Sequence, residues 1–98
     1  MELTNDLLIK YGFKCDNINI SCPRFYKKNE NKPEWGISIS KLYKPYSNKM
    51  TYNVDCWLCN NNGIIIKKSS LSDVTTNNEL QQIIDLCKIE YKLKMENI

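Results

Sequence analysis

A chain of 98 residues with 42% hydrophobic and 26% charged side chains has the make-up of one globular domain, expected over residues 1–98, rather than of a disordered chain, and these residues leave no room for a separate substrate domain. No apolar run approaches the roughly 20 residues that a membrane-spanning helix needs. The absence of histidine removes the commonest general base. The formal charge of +3 is unevenly spread: residues 20–70 hold Arg24 and eight lysines against Glu30, Glu34 and Asp55, so the middle stands at +6 between weakly acidic ends.

Thr4 to Tyr11 reads as a short helix, with Thr4 or Asn5 as cap and Leu7, Leu8 and Tyr11 at helical spacing. Gly12 supplies the stop, and Phe13 is placed to pack back. The start has neither a basic nor an apolar stretch of the kind a signal peptide needs. Asn17 to Cys22 alternates strictly and predicts a half-buried strand that continues past Pro23 through Phe25 and Lys27. Because proline cannot donate to a ladder, this strand belongs at an edge or bulges at Pro23.

Asn29 to Pro33 is a polar turn. Trp35, Ile37 and Ile39 then alternate with Gly36, Ser38 and Ser40, a strand with one wet face. Residues 44–49, with Pro45, form a loop. Tyr52, Val54, Cys56 and Leu58 alternate with Asn53, Asp55, Trp57 and Cys59 in a further strand. Asn60-Asn61-Asn62-Gly63 is a hairpin turn, since Asn and Gly both tolerate positive φ. Ile64-Ile65-Ile66 does not alternate, and predicts an inner strand covered on both faces. Thr76-Asn77-Asn78-Glu79 has capping-box form. Leu80, Ile83, Ile84, Cys87 and Tyr91 follow as an apolar stripe, so a long helix from about Asn77 to Lys94 is expected. The fold class is α+β: a short N-terminal helix, a four-stranded, mainly antiparallel sheet and a long C-terminal helix, both helices on one face. The other face would carry Ser38, Ser40, Asn53, Asp55 and Trp57.

Five cysteines without an export signal read as a reduced, cytoplasmic thiol set. Cys56-Trp57-Leu58-Cys59 is the one motif with chemical form. Along a regular strand its two thiols point to opposite faces, and neither Cys15, Cys22 nor Cys87 forms a second close pair to complete four zinc ligands. A redox pair would want its first cysteine at a helix N-terminus. No metal or other cofactor is expected. Only three glycines are present, and no phosphate-cradling loop, so the expected mode of action is binding, not catalysis.

The basic middle also holds six of the eight Trp and Tyr residues. Basic and aromatic side chains mixed on strands suit a polyanion-facing surface, although the same mixture also makes an ordinary solvated sheet. The candidate partner-binding residues are Arg24, Tyr26, Lys27, Lys28, Lys41, Tyr43, Lys44, Tyr46, Trp57, Lys67 and Lys68. No aromatic signature of an RRM is present.

The opening Asn5-Asp6-Leu7-Leu8-Ile9-Lys10-Tyr11-Gly12-Phe13 resembles the LL-x-K-x-G-F start of small orphan proteins from phages and mobile elements of AT-rich, Bacteroidota-like hosts. The close, Asn62 to Lys67 and then Asn78 to Ile83, is similar to theirs, as is the meander of aromatic strands between. The skewed menu, with no alanine and one arginine among fourteen basic residues, follows the codon usage of such a genome. The resemblance implies a phage accessory setting, in which small proteins inhibit host defence systems, CRISPR effectors among them. A basic inhibitor departs from the acidic nucleic-acid mimics and points to guide RNA or to an acidic patch on the effector. The expected partner is a host defence protein or ribonucleoprotein, either a nuclease effector itself or its guide RNA; a stand-alone RNA- or DNA-binding accessory protein and a structural or oligomeric phage component are the alternative readings.

Overall fold

The computed structural model describes residues 2–16, 23–29, 34–44 and 49–93. Its elements run α1 (Asn5–Lys10), β1 (Lys14–Cys15), β2 (Arg24–Asn29), β3 (Trp35–Lys44), β4 (Lys49–Cys59), β5 (Ile65–Val74) and α2 (Asn77–Leu86). The five strands lie side by side in chain order, every neighbouring pair antiparallel. The fold is α+β as expected, but the described residues form five strands, not four. The extra strand is the two-residue β1, too short to leave an alternating pattern. The strand expected at 17–22 and most of the turn at 29–33 lie outside the described residues. The part expected past Pro23, through Phe25 and Lys27, is the strand β2, which runs on to Asn29.

Both helix ends follow from local chemistry. Thr4 caps α1 by accepting the Leu7 N–H at 3.1 Å, and the helix closes through Gly12 (φ 94°): Gly12 donates to the Ile9 carbonyl and Phe13 to that of Leu8. Helix α2 is capped by Thr76, whose hydroxyl oxygen accepts the Glu79 N–H. Its far end is earlier than the stripe predicts. Lys88 takes a left-handed conformation (φ 61°), Lys88 donates to Asp85 and Ile89 to Ile84, and the helix stops at ten residues instead of continuing to Lys94. The remaining stripe residue, Tyr91, reaches the core from the non-helical segment that follows. That segment is tied to the helix by Gln81, whose amide donates to the Tyr91 carbonyl and accepts from the Leu93 N–H.

The core lies on one face of the sheet. Phe25, Trp35, Ile37, Ile39, Tyr52, Val54, Cys56 and Val74 point from the strands toward Leu8, Phe13, Leu80, Ile83, Ile84 and Cys87, all buried. The strand residues recur at every second position because successive side chains alternate faces. Both helices therefore cover the same face, with α2 against β4 and β5.

The isoleucine run corrects the reading of an inner, doubly covered strand. β5 is the last strand of the sheet, and Ile64, Ile65 and Ile66 are 61%, 53% and 60% exposed. Unbroken hydrophobicity resembled a covered strand, but α2 meets β5 further on, where the Cys87 thiol donates to the Lys67 carbonyl. The hairpin before it is as read: the Asn60 side-chain oxygen accepts from the N–H groups of Asn62 and Ile64, and Gly63 has φ 78°. β3 and β4 extend to Lys44 and Lys49, which pair with each other, so the two ends of the expected loop belong to strands, and residues 45–48 lie outside the described residues. No helix among the described residues is long and apolar enough to cross a membrane.

Candidate nucleic-acid interface

The sheet face opposite the helices is ordered by register, since residues paired across strands share a face. One row runs Lys28, Gly36, Trp57, Lys68 across four strands. The next runs Lys14, Tyr26, Ser38, Asp55, Ser70 across all five. A third runs Arg24, Ser40, Asn53. Lys14, Arg24, Tyr26, Lys28 and Lys68 are exposed. Small polar side chains hold the middle, and basic side chains stand at both flanks. Asp55 is the acidic member of these rows, and it accepts a hydrogen bond from the Ser70 hydroxyl.

Trp57 is half-buried in a specific way. A Cβ placed on Gly36 would lie 2.0 Å from an indole carbon, so the ring lies directly over the bare glycine backbone. Gly36 is thus the reason that a large aromatic can lie flat on this face. The indole sits between Lys28 and Lys68 in its row. With strands about 4.8 Å apart, those two lysines are about 14 Å apart at the backbone, a span that suits an extended strand laid across the sheet.

The sequence-predicted set divides here. Arg24, Tyr26, Lys28, Trp57 and Lys68 are brought together on the open face. Lys27, Lys41 and Lys67 occupy the alternate positions, so their side chains leave from the helix-covered face. The Lys27 ammonium sits 5.1 Å from the centre of the Tyr91 ring. Lys41 borders a hollow of about 610 Å³ with Glu2, Asp6, Met50 and Tyr52. Lys67 pairs with Leu58. Tyr43 and Lys44 fall at the end of β3, opposite Met50 and Lys49, and Tyr46 lies outside the described residues. The expectation of one shared surface is therefore corrected for Lys41 and Lys67, which strand alternation, invisible to a tally of charge along the chain, places away from the others; Lys27 still meets Lys14, Tyr26 and Lys28 at one cleft. Lys14 was missed for the same reason that β1 was.

The thiols occupy structural places. Cys56, Cys59 and Cys87 are buried, Cys15 is half-buried, and Cys22 lies outside the described residues. Burial pushes the Cys56 thiol up to about 12, with the neighbouring Cys87 and Asp55 adding to the effect. A thiol so disfavoured as thiolate is a poor nucleophile.

Comparison with protein families, with curated proteins and with solved structures found no match.

Proposed function

We propose that this protein acts by binding, and that its open sheet face takes an extended polyanion, single-stranded RNA being the best fit. The observation that carries the reading is the row Lys28–Gly36–Trp57–Lys68, with Tyr26, Lys14 and Arg24 in the rows beside it. Single-strand binders combine a basic track along the backbone with aromatic rings on which bases stack, and this face holds both. In the phage accessory setting that the resemblance implies, the guide RNA of a host defence ribonucleoprotein is such a ligand. The protein would then inhibit the effector by occupying RNA, without catalysis of its own.

A salt series tests this reading. Binding of a single-stranded oligoribonucleotide, followed through Trp fluorescence, should weaken linearly in log K against log salt, with a slope of about −0.7 per phosphate contacted. Four basic residues on the face lead to an expected slope between about −2 and −3. Salt-independent binding, or no binding at low salt, would overturn the proposal.

A further inference from the structure

We infer that the cleft between the Gly12 turn and the free end of β2 seats a phosphate group, an assignment that deepens the nucleic-acid reading but has its own geometry. The cleft has a volume of about 240 Å³ and is lined by Gly12, Lys14, Tyr26, Lys27 and Lys28. It exists because β1 is so short. Lys14 pairs with Tyr26, and from Lys27 onward β2 has no strand on that side among the described residues. The Gly12 turn borders the space that a longer β1 would have filled.

Three cations reach this cleft from two directions. Lys14 and Lys28 stand on the open face with Tyr26, whereas Lys27 comes round from the helix-covered side. No acidic side chain is among the described lining residues. Lys27 is also held in position before any ligand arrives. Its ammonium lies 5.1 Å from the centre of the Tyr91 ring, and a Cβ on Gly12 would come within 2.8 Å of it. Tyr91 is itself fixed, edge-on to Phe13 at 6.1 Å, tilted against Trp35 at 5.4 Å, and donating its hydroxyl proton to the Tyr11 carbonyl. A positioned ammonium loses less freedom on binding than a free surface lysine.

Size narrows the ligand. Pockets for whole small molecules run from about 300 Å³ upward, so this cleft suits a single phosphate group with a few waters of about 30 Å³ each better than an entire nucleotide. Either a terminal phosphate monoester or an internal phosphodiester of a strand on the open face supplies that chemistry.

The test uses pyrophosphate alone, together with two oligoribonucleotides of one sequence, one 5′-phosphorylated and one with a 5′-hydroxyl. Pyrophosphate should saturably shift the amide resonances of Gly12, Lys14, Lys27 and Lys28. Lys27→Gln should weaken it about tenfold or more, since a hydrogen bond to a charged group is lost. Lys28→Gln, at an exposed position, should weaken it in the same way with unfolding unchanged, which keeps the test valid if Lys27→Gln perturbs the fold. Tighter binding of the phosphorylated oligonucleotide would assign the seat to a chain end. Equal binding of both, with pyrophosphate competing against each, would assign it to an internal phosphodiester. Shifts spread equally over Lys41, Lys67 and Lys68, or affinity unchanged in both variants, would overturn the seat. Pyrophosphate binding without any Trp57 response to RNA would keep the seat and remove the open-face reading; RNA quenching of Trp57 without pyrophosphate binding would do the reverse.

Discussion

Gly36 and Trp57 form a pair in which the smaller residue controls the larger. The indole rests where a side chain at position 36 would stand, with 2.0 Å between a notional Cβ and the ring. Gly36→Val should therefore displace Trp57 from the sheet. The expected signature is a red-shifted Trp emission together with a stability loss of about 1–3 kcal/mol, the usual cost of overpacking. An unchanged emission spectrum would mean that the ring is not seated on Gly36. Titration at tyrosines packed in or against the core is also a single-residue effect. Burial raises Tyr52 and Tyr91 to about 12. Unfolded tyrosine ionises near 10, so both groups contribute stability that is fully present below pH ~10 and is lost as pH rises toward 12. Denaturant midpoints measured between pH 8 and 11.5 should begin to fall at pH ~9, where the unfolded Cys56 thiol ionises, and fall more steeply above pH ~10 as the tyrosines join. In Tyr52→Phe, which also loses the hydrogen bond to the Asn5 side chain, that fall should be shallower.

At the level of elements, the apolar stripe of α2 and the apolar run that opens β5 look equally hydrophobic in sequence yet play opposite parts. Leu80, Ile83, Ile84 and Cys87 are buried on the sheet, whereas Ile66 is open to solvent. Ile84→Ala should cost about 2–4 kcal/mol by removing buried methylenes and leaving a cavity. Ile66→Ala should change stability by less than about 0.5 kcal/mol, as exposed substitutions do. Equal losses in chemical denaturation would contradict the edge placement of β5. The contrast also marks what the sequence could disclose. Helical spacing and the Thr76–Glu79 cap placed α2, the Asn60–Gly63 turn placed the β4–β5 hairpin, and strict alternation placed β3 and β4. The end of α2 was hidden because a lysine, not a glycine, takes the left-handed position at Lys88. The role of the isoleucine run was hidden because an unbroken apolar run carries no face information; only the strand order reveals that, among the described residues, no strand follows β5 in the sheet. Of the basic and aromatic candidates, those at open-face positions of β2, β4 and β5 were legible as types but not as a group, because the register that unites Lys28, Trp57 and Lys68 spans three connections in the chain.

For the molecule as a whole, the arrangement is a two-sided division of labour. Helices α1 and α2 and the segment ending at Leu93 cover one sheet face and supply the core. Among the described residues the other face has no helix on it, and it collects basic and aromatic side chains. The charge that sequence places between residues 20 and 70 is thus shared between faces, and the proposed function depends on only one of them. Two double variants carrying the same change in charge separate the faces: Lys28→Glu with Lys68→Glu on the open face, and Lys41→Glu with Lys67→Glu on the other. Their affinities for one single-stranded oligoribonucleotide, measured at a single low salt concentration, test the central claim most directly. The open-face pair should lose about tenfold or more, equivalent to ~1.4 kcal/mol or above, while the opposite pair stays within about threefold of the parent protein. Equal losses in the two pairs, or a larger loss from Lys41 and Lys67, would contradict the assignment of the open face as the binding surface.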